Sequence, residues 1–408
     1  MTTALLTDFL NTQHFDVRLT QNGRWIDQKC TPDTVSFVAD CVIQYLNENP
    51  EKTVFESPDI WRSSYAISNV MAFFGKPDPT IEPSHDEFNK FYRQPLKMLA
   101  AAGILKENGR VNNTIQFSVA NYDALKWIAT RDRNAYEFIT IYVEKTLKES
   151  GLWDAFATFF ELQTKEAYAD LKTIFEDFCL LNTPINNRVE ARRIFTKVLN
   201  PLACKYGKLG TEGGHLSNCS IMYSDLLYNK PNWRDTGKAK NVARREVHTI
   251  TPREAAVIDY NVNRAKRELK EFNDTYRGGR SEIVDILGRG AAATHMHHIF
   301  PKSQFPSIAA LLENLIALTP GQHLQSAHPD GNTNVINRDY QYMCLVVKTG
   351  HIKDNLTSAG SEPKIYSFEN LLLVLDTGLS TTAFSSIPVN DYQSVLINID
   401  SMYGHASV

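Results

Sequence analysis

The stretch Thr294–Asn334, THMHHIFPKSQFPSIAALLENLIALTPGQHLQSAHPDGNTN, constrains this chain more than any other. It holds five of the eleven histidines: His295, His297, His298, His323 and His328. Asn314 follows His298 by sixteen residues, His323 follows Asn314 by nine, and His328 follows His323 by five. A single histidine among apolar residues is usually a packing residue; five in an ordered series imply a shared task. Histidine titrates closest to neutral pH and is a common ligand of divalent ions. "HMHHIFP", apolar-rich and stopped by Pro301, predicts a first strand, and "NLIALTP" a second, ended by Thr319-Pro320-Gly321. A helix starting near Gln322 then brings His323 and His328 almost onto one face, a spacing of four being ideal and five tolerable. Pro329 predicts that this helix is very short.

The ordered elements, with their flanks "HHIFPKS" and "ENLIAL", resemble the HNH, or ββα-metal, nuclease motif over about forty of the 408 residues. The resemblance implies hydrolysis of DNA. Cutting a phosphodiester needs an activated water, a cation at the scissile phosphate and relief for the departing oxyanion. Carried over residue by residue, His298 is the general base and His297 the first metal ligand. Asn314 orients the base through a loop hydrogen bond, His323 is the second ligand and His328 the third. The family often has three residues between the last two histidines, whereas Leu324–Ala327 makes four here. His328 can therefore serve only if the helix absorbs the extra residue. His295 shares the His297 face of the strand without being required. One divalent ion per active site is implied, Mg²⁺ first, with Mn²⁺, Ni²⁺ and Zn²⁺ as alternatives. Many relatives carry a zinc ribbon of paired cysteines. Cys30, Cys41, Cys179, Cys204, Cys219 and Cys344 form no CxxC, so surrounding protein must brace the motif.

A chain of 408 residues predicts two or three domains. With 43% hydrophobic and 22% charged residues it reads as an ordinary globular protein. The net charge of −3 requires any nucleic-acid surface to be local. No apolar run is long enough to span a membrane, no basic-then-apolar leader opens the chain, and the unpatterned cysteines fit a reducing compartment. A cytoplasmic location is expected.

The expected fold is mainly α with small β elements, in three parts. Residues 1–120 read as a winged-helix-like DNA-binding domain. Thr31-Pro32-Asp33 starts a helix to about Asn47, "PDIWRSSYAISNVMAFFG" gives a second ending at Gly75, and "SHDEFNKFYRQPLKMLAAAGIL" a third, with Pro95 expected to kink it. "ILKENGRVNNTIQFSV" reads as a hairpin turning at Asn108-Gly109. Third helices of winged helices commonly enter the major groove. Lys90, Arg93 and Gln94 are the candidate contacts there, with Asn89, Lys97, Lys106 and Arg110 nearby. "GRWIDQKCTPD" also resembles an N-terminal segment shared by a group of bacterial restriction endonucleases.

Residues 121–230 read as a helical domain in which Phe156, Phe159 and Phe160 are core. "GKLGTEGGHLSN" reads as a glycine-rich loop; without a following GKS or GKT it is no nucleotide-binding loop, and no nucleotide cofactor is expected. Residues 231–408 read as a basic segment plus the HNH domain. Residues 231–280 carry twelve Lys and Arg against seven Asp and Glu, an excess of five. Lys238, Lys240, Arg244 and Arg245 (with Asn241) and a helix from Thr251-Pro252 to about Tyr276, with Arg264, Lys266, Arg267 and Lys270 on its exposed side, are expected to track phosphates. Arg280 or Arg289 could clamp the scissile phosphate. The tail is expected to add helices at Asp339–Lys348 and Phe368–Leu375 and to pack around the motif.

The reading that follows is a metal-dependent, site-specific double-stranded DNA endonuclease of the type II restriction class, a homodimer because two-fold symmetry mirrors a palindromic site. A homing or modification-dependent HNH nuclease is the alternative enzyme, and a DNA-binding regulator with a degenerate HNH fold the alternative from another class.

Overall fold

The computed structural model describes all residues except 77, 80, 82–84, 229–251, 289–290, 329–335, 361 and 405–408. The chain divides into two compact units, residues 1–249 and 250–408. It is mainly helical with small sheets. The expected boundary near residue 120 runs inside the first unit, where the first long helix packs on the helices that follow that point.

The first unit opens with α1 (Thr3–Asn11), α2 (Val17–Thr20) and α3 (Pro32–Glu48). Pro32 takes the first turn of α3, where its missing N–H costs nothing. From Pro32 to Ile43 every residue of α3 is buried, which makes it the axis of the unit. Then follow β1 (Phe55–Glu56), α4 (Ser57–Trp61), α5 (Ser64–Phe74), α6 (His85–Ala101), β2 (Leu105–Val111) and β3 (Thr114–Val119). The stretch read as one helix is therefore two, because Ser63 caps a new start by accepting from the Ala66 amide. Gly75, at φ +59°, ends the second, as expected. The strand order is β1-β3-β2, all antiparallel. Helix α6 runs through Pro95 to Ala101. The sequence reading missed β1, whose two residues are too short to show an alternation.

The hairpin turns at Asn112-Asn113, both at positive φ, and not at Asn108-Gly109. Those two residues form a bulge between Glu107 and Arg110. Asparagine tolerates the left-handed region, so Asn-Asn can serve as a tight hairpin turn. Ile115 and Phe117, two apart on one face of β3, are seated in the core.

Helices α7 (Tyr122–Thr130), α8 (Asp132–Glu149), α9 (Trp153–Leu162), α10 (Lys165–Asn182) and α11 (Arg188–Tyr206) complete the unit with the hairpin β4 (Leu209–Glu212) and β5 (His215–Ser220). Phe156, Phe159 and Phe160 are core, as expected. The glycine-rich stretch is this hairpin: Gly213 and Gly214, at φ +58° and +87°, make its turn. Gly210 has no room for a side chain, since a Cβ would lie 2.6 Å from Asn200 Oδ1 and from Ile221 Cγ1. These glycines answer to backbone geometry; they form no phosphate loop.

The second unit holds α12 (Pro252–Tyr276), β6 (His295–His298), β7 (Leu315–Leu318), a π-helical turn over Gln322–Ala327, α13 (Arg338–Thr357), α14 (Phe368–Gly378) and α15 (Tyr392–Tyr403). Its core joins Leu269 and Phe272 of α12 and all four residues of β7 to Leu345, Leu371, Val374 and Val395 of the tail helices. The tail thus wraps the two-stranded sheet, as expected, although α13 runs nine residues beyond Lys348 and α15 had not been anticipated. Buried Glu282 ties the sheet to this frame. Its backbone N–H donates to the Ala317 carbonyl, and its carboxylate accepts from the Ala317 N–H, from Lys348 and from His351. The positive groups around it hold the carboxyl near pKa 2 against the cost of burial.

Candidate metal centre and general base

Strand β6 pairs antiparallel with β7, His297 opposite Ile316 and His298 opposite Leu315. Alternation sends His297 and His298 to opposite faces of the pair, and so to different tasks. On one face His297 meets His323 and His328. The three rings stand mutually near-perpendicular, with centroids 5.1, 5.0 and 4.9 Å apart. One nitrogen from each lies within 4.8 Å of the other two. Bonds of about 2.1 Å to one ion place two nitrogens at most about 4.2 Å apart, so small ring rotations close the set. His323 Nδ1 is buried without a hydrogen-bond partner among the described residues, as a nitrogen that could serve as a ligand would be. Burial and the neighbouring imidazoles lower His297 to about 2 and His323 to about 4. Both are therefore neutral at physiological pH, the state in which imidazole ligates metal. The donor set fits a divalent transition ion, or Mg²⁺ with waters completing its shell.

The five-residue spacing of His323 and His328 is absorbed by the π-helical turn. His323 lies inside the turn and His328 caps its end with an extended backbone, which leaves the two rings 4.9 Å apart. His295 stacks on His323 with centroids 4.9 Å apart and stands beside the triad without belonging to it.

On the other face His298 Nε2 lies 3.0 Å from the Ala309 carbonyl oxygen. A carbonyl only accepts, so Nε2 carries the proton and Nδ1 keeps its lone pair. Burial, then the charge of Lys266, lowers His298 to about 4, leaving it neutral and able to take a proton. Asn314 is fully buried and clamps the loop that follows His298. Its Oδ1 accepts from the Phe300 N–H at 2.8 Å, and its Nδ2 donates to the carbonyls of Phe300 and Ile308. It therefore acts through residues 299–309, the segment that ends on the Ala309 carbonyl.

The candidate DNA contacts divide. Lys90 and Arg93 are exposed on α6, whereas Gln94 is half-buried and accepts from the Lys29 N–H, and Asn89 accepts from Trp61. Arg267 is half-buried and Arg280 is exposed. Arg264 corrects the expectation of an exposed helix side: it is 6% exposed, with its guanidinium over the Tyr260 ring at 5.3 Å. Its position falls on the apolar stripe with Tyr260, Val262 and Ala265 and not opposite it. Lys238, Lys240, Arg244, Arg245, Asn241 and Arg289 lie outside the described residues. Lys266, expected on the exposed side of α12, is half-buried, and its charge adds to burial in lowering His297, His298 and His323. Its one sequence signal is its place beside buried Ala265 in the helical repeat. Gln322 was missed as well. Fully buried, it joins the π turn to residues 281–285 through Ser281, the Ile283 carbonyl and Asp285.

Compared with protein-family models, curated proteins and solved structures, the chain matches none.

Proposed function

We propose that this chain is a metal-dependent endonuclease that hydrolyses phosphodiesters of double-stranded DNA, a site-specific enzyme of the type II restriction class acting as a homodimer. The observation that carries the reading is the pairing of a three-imidazole cage with His298, whose outer nitrogen is bound to Ala309 and whose inner nitrogen is free to accept. A bound divalent ion, held by His297, His323 and His328, supplies positive charge at the phosphate and at the departing oxygen. His298 Nδ1 takes the proton of the attacking water; the new oxygen–phosphorus bond forms as the bond to the leaving oxygen breaks. Asn314 is a positioning residue: bonded to Phe300 and to the Ile308 carbonyl, it holds the loop whose Ala309 carbonyl meets the base. Lys266 places a further cation toward the anionic substrate.

The helices α3 to α6 with the β1-β3-β2 sheet have the order of a winged helix, which supports reading this part as the DNA-binding module. No described helix is long and apolar enough to cross a membrane. Digestion of a supercoiled plasmid with Mg²⁺ or Mn²⁺ tests the proposal. Discrete fragments are expected, a smear would deny site specificity, and intact DNA with every divalent ion would deny the activity.

A further inference from the structure

Residues 281–288, SEIVDILG, form a loop with an unusual tip. Val284 is 91% exposed and Ile286 85%, the two most exposed large apolar side chains among the described residues. Exposed aliphatic side chains usually sit on slack backbone. This backbone is clamped. Gln322 Nε2 donates to the Ile283 carbonyl at 2.9 Å and to Asp285 Oδ1 at 2.7 Å, and Gln322 Oε1 accepts from Ser281. Asp285 Oδ1 also accepts from the Gly288 N–H, and the Leu287 carbonyl accepts from Thr319 Oγ1. The loop closes so tightly that a Cβ at Gly288 would lie 2.7 Å from Gln322 Nε2 and 2.9 Å from the Ile283 carbonyl.

The clamp is also the root of the metal centre. Gln322 directly precedes His323, and Thr319 stands between β7 and the π turn. Arg280, exposed, precedes the loop and with Ser281 and Asp285 lines a cavity of about 540 Å³. A clamped pair of aliphatic side chains beside the exposed Arg280 and a candidate metal site matches one occupant best, a DNA duplex. Cations fix the phosphates, while branched apolar side chains wedge between base steps and unstack them.

We propose that Val284 and Ile286 are a wedge that enters the duplex next to the scissile phosphate and opens the base stack there. The proposal rests on the nuclease reading of the metal centre. Binding and wedging need no cleavage, so the two readings fail separately. Holding the duplex open by apolar contact brings the phosphate to His298 without help from a moving lid, because the loop is built onto the ligand turn.

The test uses the full chain with Ca²⁺, which supports binding in place of a catalytic ion, and a duplex of about 30 base pairs selected from a random-sequence pool by its binding to the full chain, then labelled with 2-aminopurine. The wild type should raise 2-aminopurine fluorescence as bases unstack. Val284→Ser with Ile286→Ser should abolish the rise and weaken binding at least about ten-fold, with its melting temperature and divalent-ion binding unchanged. With Mg²⁺, a duplex already opened by a mismatch should restore cleavage by this variant to within about three-fold of wild type. Equal fluorescence and affinity for variant and wild type would overturn the wedge. So would a change in oligomeric mass in the variant, which would make the tip an interface between copies. A wild type that unstacks the duplex but cuts with no ion would leave the wedge standing and sink the nuclease reading.

Discussion

His298 is committed at one nitrogen and free at the other, and that asymmetry sets what its loss should do. His298→Ala should lower the cleavage rate at least about 10²-fold, the scale of a general base, with DNA and metal binding retained. His297→Ala, His323→Ala and His328→Ala should instead lose ion affinity, measured by calorimetry, and regain part of their activity in excess metal. A His328→Ala variant with unchanged affinity would make the third ligand a water or another side chain. The same burial has a cost in the metal-free protein. Histidines held at about 2 (His297) and about 4 (His298, His323) refuse protons that the unfolded chain accepts below about pH 6.5. Stability conferred above that pH is therefore lost as pH falls toward 4. With chelator present, the second unit should melt about 5 °C or more lower at pH 5.0 than at pH 7.5. Asp33, raised to about 6 by burial in the first unit, works in the opposite direction, since it keeps a proton that the unfolded chain sheds. All five tryptophans precede residue 250, so fluorescence follows the first unit and the acid loss should appear in circular dichroism alone. Residue types and their order pointed to the histidine cluster, which the fold does bring together. The tautomer of His298 depended on a carbonyl eleven residues away, and no pattern of side chains displays that.

At the scale of elements, long periodic stretches were legible and short or irregular ones were not. Helix α3 and helix α12 fall where capping and apolar rhythm placed them, because a whole buried face repeats the signal. The two-residue β1 gives no period, and the hairpin has two candidate turns, of which Asn112-Asn113 makes the turn while Asn108-Gly109 is taken up as a bulge. The π turn escaped an α-helical reading for the reason that makes it useful, its five-residue repeat. Helix α14 ends against the motif at a position only glycine fits. A Cβ on Gly378 would lie 2.4 Å from the buried Phe300 ring, two residues beyond His298. Gly378 is not at positive φ, so the strain of Gly378→Ala is steric alone. It should destabilise the second unit by about 1–3 kcal/mol in chemical denaturation and lower activity through the loop that Asn314 holds. An unchanged denaturation midpoint would show that Phe300 can move aside.

At the scale of the molecule, what braces the motif in place of a zinc ribbon is a charged core. Glu282, Lys348 and the Tyr366 hydroxyl meet in the interior behind β7, with Arg277 and His351 at the edge. Separate stretches of the chain supply them, so the cluster was invisible until the fold joined them. The division of labour across the chain is a separate matter, and it yields a prediction of its own. On the proposed function, the histidine site spends its side chains on ligands, on a base and on clamping loops, groups that would position a phosphate and carry little sequence information. Base reading needs long polar side chains delivered to a groove. On α6, Asn89 and Gln94 already bond within the unit, which leaves Lys90 and Arg93 projecting to solvent. If α6 reads bases, Arg93→Ala should cost about 1–3 kcal/mol with the cognate duplex and relax discrimination at one position. A lysine that only meets phosphate behaves differently: Lys90→Ala should weaken binding to all sequences alike and reduce the salt dependence. Binding of each variant to cognate and single-mismatch duplexes at two salt concentrations separates the two roles. A cognate-to-mismatch ratio that neither substitution alters would move base reading off α6, to the basic stretch that holds Lys238, Lys240, Asn241, Arg244 and Arg245. The same measurements on alanine variants of those residues would then decide whether that stretch reads bases or only follows the backbone.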